Sequence, residues 1–306
     1  MNARRLISVI VGSLLVVLCI VPFVLIAPKV IDSHKSFSRL FEDREPVPAV
    51  RVEPARFRPP AESRSAVPVL AYHGIAEQPQ DRLTITPEQF AHQLAMLRAA
   101  GFHAISAEQY AAKDLPSRPI LITFDDGRLD SFKHADQVLE RYGMRATMFV
   151  ITGNADERRP AFLQWDELRD MRDSGRWDVQ LHAARQHTTV RDGAAYANRA
   201  PGESWERYTA RVTADVDEGI ARLRDELDAE PLLFAAPYRA PGELQSNDER
   251  IPKFLDELLH DRFEQVFTSG RPKTPPPTAQ HTLRRYEIRD DTTAKSLYRW
   301  LSRKEA

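Results

Sequence analysis

Two adjacent carboxylates, Asp125 and Asp126, close the stretch Ile120-Leu121-Ile122-Thr123-Phe124. The five residues before them are apolar or β-favouring and read as a buried strand. Gly127 follows and can turn the chain. Two like charges at the end of a buried strand repel each other and lose hydration. A bound cation relieves both costs, taking one carboxylate as ligand and leaving the other free as a base. The competing reading is a polar strand end that caps a following helix at Asp126 or Arg128. Further on, His182 and His187 lie five apart. Ligands on one helical face lie three or four apart, so here a loop leaving a strand must turn both imidazoles onto one ion. With Asp126 they make a two-histidine, one-carboxylate set, which leaves coordination positions open as a catalytic metal requires. Taken singly, His187 is also readable as an exposed loop histidine, and His182 as a core histidine bonded to a backbone carbonyl.

The elements that must position these groups alternate. Val67–Tyr72 reads as a first strand with His73-Gly74 at its end. A helix follows, with Thr86 as N-cap, Pro87 in its first turn, Gln89 completing a capping box, and Phe90, Leu94 and Leu97 on one face. Strands are expected over 120–124, 146–151, 177–181, 232–236, 265–268 and 283–288. Helices are expected through Ala135–Tyr142, Trp165–Ser174, Tyr208–Leu227, Phe254–Leu259 and Ala294–Leu301. Alternation of this kind predicts parallel βα units and an α/β class. The polar groups His73, Asp125, Asp126, His182 and Tyr238 all follow strands, at the edge where α/β folds build sites.

The chain has 306 residues and a formal net charge of -1, which gives no reason to expect a nucleic-acid partner. Its single cysteine, Cys19, rules out an internal disulfide framework. Leu6–Ala27 is an uncharged apolar run broken only by Ser8, Gly12, Ser13 and Pro22, long enough for a bilayer span. Arg4 and Arg5 precede it and place residues 1–5 in the cytoplasm. A cleaved signal peptide is the alternative, but its apolar region is usually shorter, roughly 7–15 residues. The expectation is a single-pass signal anchor at 6–27, a Pro-, Arg- and Glu-rich tether at 28–66 and an extracellular domain at 67–306.

Four motifs carry a resemblance. They are Leu70-Ala71-Tyr72-His73-Gly74, Thr123-Phe124-Asp125-Asp126-Gly127, the His182-to-His187 spacing, and Phe234-Ala235-Ala236-Pro237-Tyr238. In order and spacing, from Val67 to about Leu301, the chain resembles the polysaccharide deacetylases of carbohydrate esterase family four. Within them it is most similar to the secreted deacetylases of poly-N-acetylglucosamine. The resemblance implies a distorted (β/α) barrel and metal-dependent removal of N-acetyl groups from an extracellular amino-sugar polymer. It implies a divalent metal, zinc, on Asp126, His182 and His187. Asp125 would be the general base toward a water at the metal. His73 would be the general acid toward the leaving amine, with His281 a weaker competitor. Tyr238 would help hold the oxyanion, through its backbone N–H.

Departures from the family's pattern are Ala183, where many relatives have serine or threonine, and Arg239, where many have glycine. Arg239 is a candidate for narrowing the cleft or binding an anionic part of the glycan, and otherwise a solvated loop residue. Trp165 is a candidate for lining the site, and otherwise a hydrophobic anchor at a helix start. The region Thr188–Trp205 reads as a long loop whose Tyr196, Arg199 and Trp205 lie over the cleft or pack locally. Two alternatives stay open: an inactive carbohydrate-binding protein on the same fold, and a deacetylase of peptidoglycan, chitin or acetylxylan.

Overall fold

The computed structural model describes Val50, Phe57 and residues 66–191, 193–239, 246–273, 275–276 and 281–303. The expected tail at 1–5 and span at 6–27 lie outside the described residues, as does nearly all of the expected tether. Among the described residues no helix is long and apolar enough to cross a membrane.

The first half of the domain runs β1 (Val69–Tyr72), β2 (Gly74–Ile75), β3 (Thr84–Ile85), α1 (Pro87–Ala99), β4 (His103–Ala104), α2 (Ala107–Ala112), β5 (Pro119–Phe124), α3 (Leu129–Tyr142), β6 (Ala146–Ile151) and α4 (Thr152–Asp156). It continues with α5 (Trp165–Asp173), β7 (Trp177–Ala183), β8 (Thr189–Val190), β9 (Gly193–Ala194), α6 (Trp205–Leu227), β10 (Leu233–Ala235), a 3₁₀ turn (Pro237–Arg239), α7 (Ile251–His260), β11 (Gln265–Gly270), β12 (Thr282–Glu287) and α8 (Ala294–Leu301).

Local chemistry sets several of these boundaries. Thr86 Oγ1 accepts from the Gln89 N–H while Gln89 Oε1 accepts from the Thr86 N–H, so two orphan donors at the start of α1 are satisfied. Ser106 and Gln109 repeat the arrangement at α2. Gly143, at φ +62°, ends α3 in the left-handed conformation.

Around the barrel the strand order is β1, β5, β6, β7, β10, β11, β12, and β12 pairs back to β1. Every one of these pairings is parallel. The strands follow one another in chain order, and the last closes on the first. β4 extends the sheet beside the start of β5. The result is a closed, seven-stranded parallel β/α barrel, with every strand's C-terminal end on one rim.

The interior is plugged from the opposite rim. Val69, Leu121, Phe149, Leu233, Phe267 and Leu283 pack together, capped by Ile105 and Tyr110, all nearly inaccessible to water. Burying side chains of this size contributes roughly 1.5–3 kcal/mol each. Above this layer the inward positions become polar.

The segment Thr188–Trp205 differs from expectation. It carries the β8–β9 hairpin, and its aromatic groups pack inward or along the helix rather than over the cleft. Tyr196 is buried with its hydroxyl donating to Asp215 at 2.6 Å. Trp205 stacks on Tyr208, and the Arg250 guanidinium lies over its ring. Arg199 pairs with Asp248 at 2.9 Å. Each group finds partners within its own neighbourhood, which is the local-packing alternative.

Candidate active site

β5 delivers the two acids to the barrel rim, and the backbone then separates them. Asp126 has φ +73° and Gly127 φ +70°. Two left-handed residues in succession reverse the chain, and aspartate is among the few non-glycine residues that tolerate this. A Cβ on Gly127 would also meet Val150 Cγ1 at 3.2 Å. The turn therefore sends the Asp125 and Asp126 carboxylates to different partners.

Asp126 meets the two histidines. Its Oδ1 lies 3.5 Å from His182 Nε2 and 3.4 Å from His187 Nε2. The three candidate ligand atoms all fall within 4.8 Å of one another. His182 sits within the end of β7, and its Nδ1 bonds the Ala235 carbonyl of β10 at 2.5 Å. That bond fixes the ring and leaves Nε2 for an ion, the usual outer contact of a metal-bound imidazole. His187 stands on the loop beyond the strand. Its ring stacks on Tyr238, with centroids 4.5 Å apart and planes 26° apart.

The charges fit a cation. Asp126 Oδ1 is buried and has no hydrogen-bond partner among the described residues. Burial would raise the Asp126 carboxyl, but His182, with His73 and His187, holds it well below the usual carboxylate range. His182 is pulled down by burial and pushed up further by Asp126 and Asp125, ending above its ordinary value. Burial and the neighbouring His182 push His187 down to about 4. Without an ion, then, the ring on β7 favours its proton and the loop ring is neutral. An orphaned carboxylate oxygen between two imidazole nitrogens is what a divalent metal would satisfy, and the residues fit that group.

Asp125 is held differently. Arg285 of β12 forks onto it, with Nη1–Oδ1 and Nη2–Oδ2 both 2.7 Å. Arg285 Nη1 also meets Thr123 Oγ1 at 2.9 Å, and the guanidinium lies over the Phe149 ring at 5.2 Å. Both partners are buried, 1 % and 2 % exposed. Burial raises the Asp125 carboxyl, yet Arg285, with His182 and His73, wins and holds it below the ordinary range. His73, at the end of β1, places Nε2 3.7 Å from Asp125 Oδ2. Its backbone carbonyl accepts from Ser131, and its buried Nδ1 has no bond among the described residues.

The remaining candidates separate. Tyr238 is 42 % exposed and adopts φ +50° in the turn after β10. Arg239 donates to both oxygens of the buried Glu287 at 2.9 and 3.0 Å. It is therefore held in an ion pair, with its side chain still 36 % exposed. Trp165 is nearly buried, with its indole N–H on Asp156 at 2.9 Å and Arg222 over its ring. It anchors the start of α5. His281 lies at the opposite rim, just before β12, beside His260. A cleft of about 570 Å³ opens beside Asp126 and His187, walled by Arg128, Asn154, Glu157 and Phe162 among others.

Arg285 was not singled out by motif reasoning, although a signal existed. Leu283, Arg285 and Glu287 share one face of β12. A cation on the buried face of a strand demands a counter-charge. Only the closure of β12 on β1, and of β1 on β5, reveals Asp125 as that partner.

The sequence model of the family described as Polysaccharide deacetylase matches residues 112–250. A poly-β-1,6-N-acetyl-D-glucosamine N-deacetylase of Staphylococcus aureus is 23 % identical over 224 residues, 71 % of this chain and 72 % of that one. A de-N-acetylase from Aggregatibacter actinomycetemcomitans shares the fold at TM-score 0.66 and 21 % identity, over 77 % of this chain and 99 % of that one. The structure of IcaB from Ammonifex degensii matches at TM-score 0.63 and 25 % identity, over 78 % and 98 %. With the barrel, the paired acids and the two histidines in one place, residues 112–250 carry the match to the polysaccharide deacetylase model, and the relatives to which the chain is similar are named as polysaccharide N-deacetylases, enzymes that hydrolyse N-acetyl amide bonds.

Proposed function

We propose that this chain is a metal-dependent N-deacetylase of an amino-sugar polymer of the poly-N-acetylglucosamine type. The observation that carries the reading is the Asp126 oxygen, without a hydrogen-bond partner among the described residues, set between His182 Nε2 and His187 Nε2. These three side chains would hold the metal, and the nitrogen-and-carboxylate donor set suits zinc. When bound, the metal polarises the acetamide carbonyl and makes hydroxide available near neutral pH.

The chain's own groups do the rest. Asp125, kept ionised by Arg285, takes the proton from the attacking water. The Tyr238 backbone N–H faces the oxyanion that forms at the acetyl carbonyl. His73, beside Asp125 at the end of β1, gives its proton to the departing amine, a general-acid role that an imidazole can fill. The C–N bond breaks, leaving acetate and a free glucosamine amine. The buried surroundings of Asp125 exclude bulk water from the proton transfer. The polymer class is supported by the named substrate of the staphylococcal relative. We further propose, from the apolar run Leu6–Ala27 alone, that the domain acts outside the cell on a single-pass anchor.

The test is acetate release by the full chain from acetylated β-1,6-glucosamine oligomers, with and without a chelator. Release that stops with chelator and returns with zinc supports the reading. Release unaffected by chelator, or none with zinc restored, refutes it. Glycan binding without turnover would identify an inactive binding protein instead.

A further inference from the structure

The two imidazoles of the centre are secured unequally. His182 is part of β7 and is tied to β10. His187 is five residues on, beyond the strand, and position 183 is an alanine with no polar side chain to organise the loop. The loop is instead organised from outside. The backbone N–H groups of Ala184, Arg185 and Gln186 all donate to one carboxylate, that of Asp215 on α6, at 3.0, 2.6 and 2.9 Å. Three successive amides converging on one anion form a nest. The Tyr196 hydroxyl completes the set at 2.6 Å. Asp215 is 4 % exposed. Its charge is thus met by four donors, of the charge-assisted kind that is stronger than neutral bonds.

The fold is shaped to bring Asp215 there. One turn along α6, Gly219 lies so close to β7 that a Cβ would fall 2.5 Å from Leu181 Cδ1. The helix can therefore rest directly on the strand that carries His182. From the other side, the Gly153 N–H donates to the Ala184 carbonyl at 2.9 Å. Arg185 reaches back to Glu218 of α6 at 2.9 Å.

We propose that Asp215 is a positioning residue for the metal centre, setting His187 opposite Asp126 by holding the loop's amides. The inference rests on the proposed metal centre. Replacing the carboxylate by a carboxamide puts an NH₂ group against amide donors and frees the loop to move His187. Loss of an outer contact of this kind weakens metal affinity by roughly 10–100-fold.

The test measures zinc affinity of the full chain by competition with a chromophoric chelator, together with the visible spectrum of the cobalt-loaded protein. Asp215→Asn is expected to bind zinc roughly 10–100-fold more weakly and to show an altered cobalt spectrum. Asp136→Asn serves as the stability control. Asp136 is also buried and bonds Arg176 and Trp177 near the other end of β7. It is expected to lower the thermal midpoint while leaving zinc affinity unchanged. Wild-type zinc affinity and spectrum in Asp215→Asn, or equal weakening in Asp136→Asn, overturn the proposal. Should Asp215→Asn not fold, Tyr196→Phe decides: weaker zinc binding supports the proposal and unchanged binding overturns it. A wild-type chain that binds zinc but releases no acetate refutes the proposed function and leaves this comparison standing.

Discussion

Arg285→Met tests the electrostatics of the site most directly. Methionine keeps an apolar stem between the Phe149 and Phe267 rings, where the guanidinium now sits at 5.2 and 6.0 Å. It removes both 2.7 Å bonds to Asp125. What remains is a carboxylate at 2 % exposure with the His73 imidazole 3.7 Å away. Breaking a buried pair by removing one partner costs about 3–5 kcal/mol, because the surviving charge is uncompensated. The pH dependence follows in sign. In the wild type the folded Asp125 carboxyl is depressed. Its stabilising contribution is complete above the unfolded value, about 3.9, and is lost as pH falls through the folded value. In the variant burial acts unopposed by Arg285, so the folded carboxyl moves upward. The stability deficit is then largest near neutral pH and shrinks on acidification, as the proton neutralises the stranded charge. Urea unfolding of metal-free protein between about pH 4 and 8 reads this. In zinc-loaded protein the acid limb of acetate release should move to higher pH. Adding Asp125→Asn to the variant should recover stability, because it removes the orphaned charge. A deficit independent of pH, an unmoved acid limb, or no recovery in the double variant would refute this account of Asp125.

Three further outcomes are expected. Asp126→Ala loses metal along with turnover, whereas Asp125→Asn keeps the metal and loses turnover; elemental analysis decides, and equal metal loss in both would dissolve the division of roles. Tyr238→Phe keeps the stack on His187 and leaves kcat within about twofold, because the proposed contact is the backbone N–H. A loss of about 10²–10³, the size expected for removing an oxyanion donor, would instead place the hydroxyl in the reaction. Gly219→Ala drives a methyl into the buried Leu181 and lowers stability by about 1–3 kcal/mol in thermal unfolding; an unchanged midpoint would show that α6 can lift from β7 without cost.

Much of the architecture was legible because it is local. The Thr86–Gln89 capping box sits at the start of its helix as read, and the strand over Ala146–Ile151 and the helix over Ala294–Leu301 have the expected bounds. Apolar runs and glycine stops report on neighbours within a few residues, and so does the turn at Asp126-Gly127. The acid pair and the His182–His187 spacing were likewise visible as residue types, with Asp126 and the two histidines able to share an ion.

Partnership across the barrel was not legible. Asp125 and Arg285 are 160 residues apart. No periodicity connects them; they meet because β12 closes on β1 and β1 on β5. Asp215 lies about thirty residues beyond the loop whose amides it gathers, on a helix face that by pattern alone is only amphipathic. Trp165, Arg239 and Tyr196 carry the residue types of a sugar-binding surface, but only the fold shows that they bond Asp156, Glu287 and Asp215. Sequence alone determined which groups could do chemistry and on which strand ends they stand. Tertiary structure alone decided which of them share a dielectric, a counter-charge and a bond, because those depend on distances that only barrel closure sets.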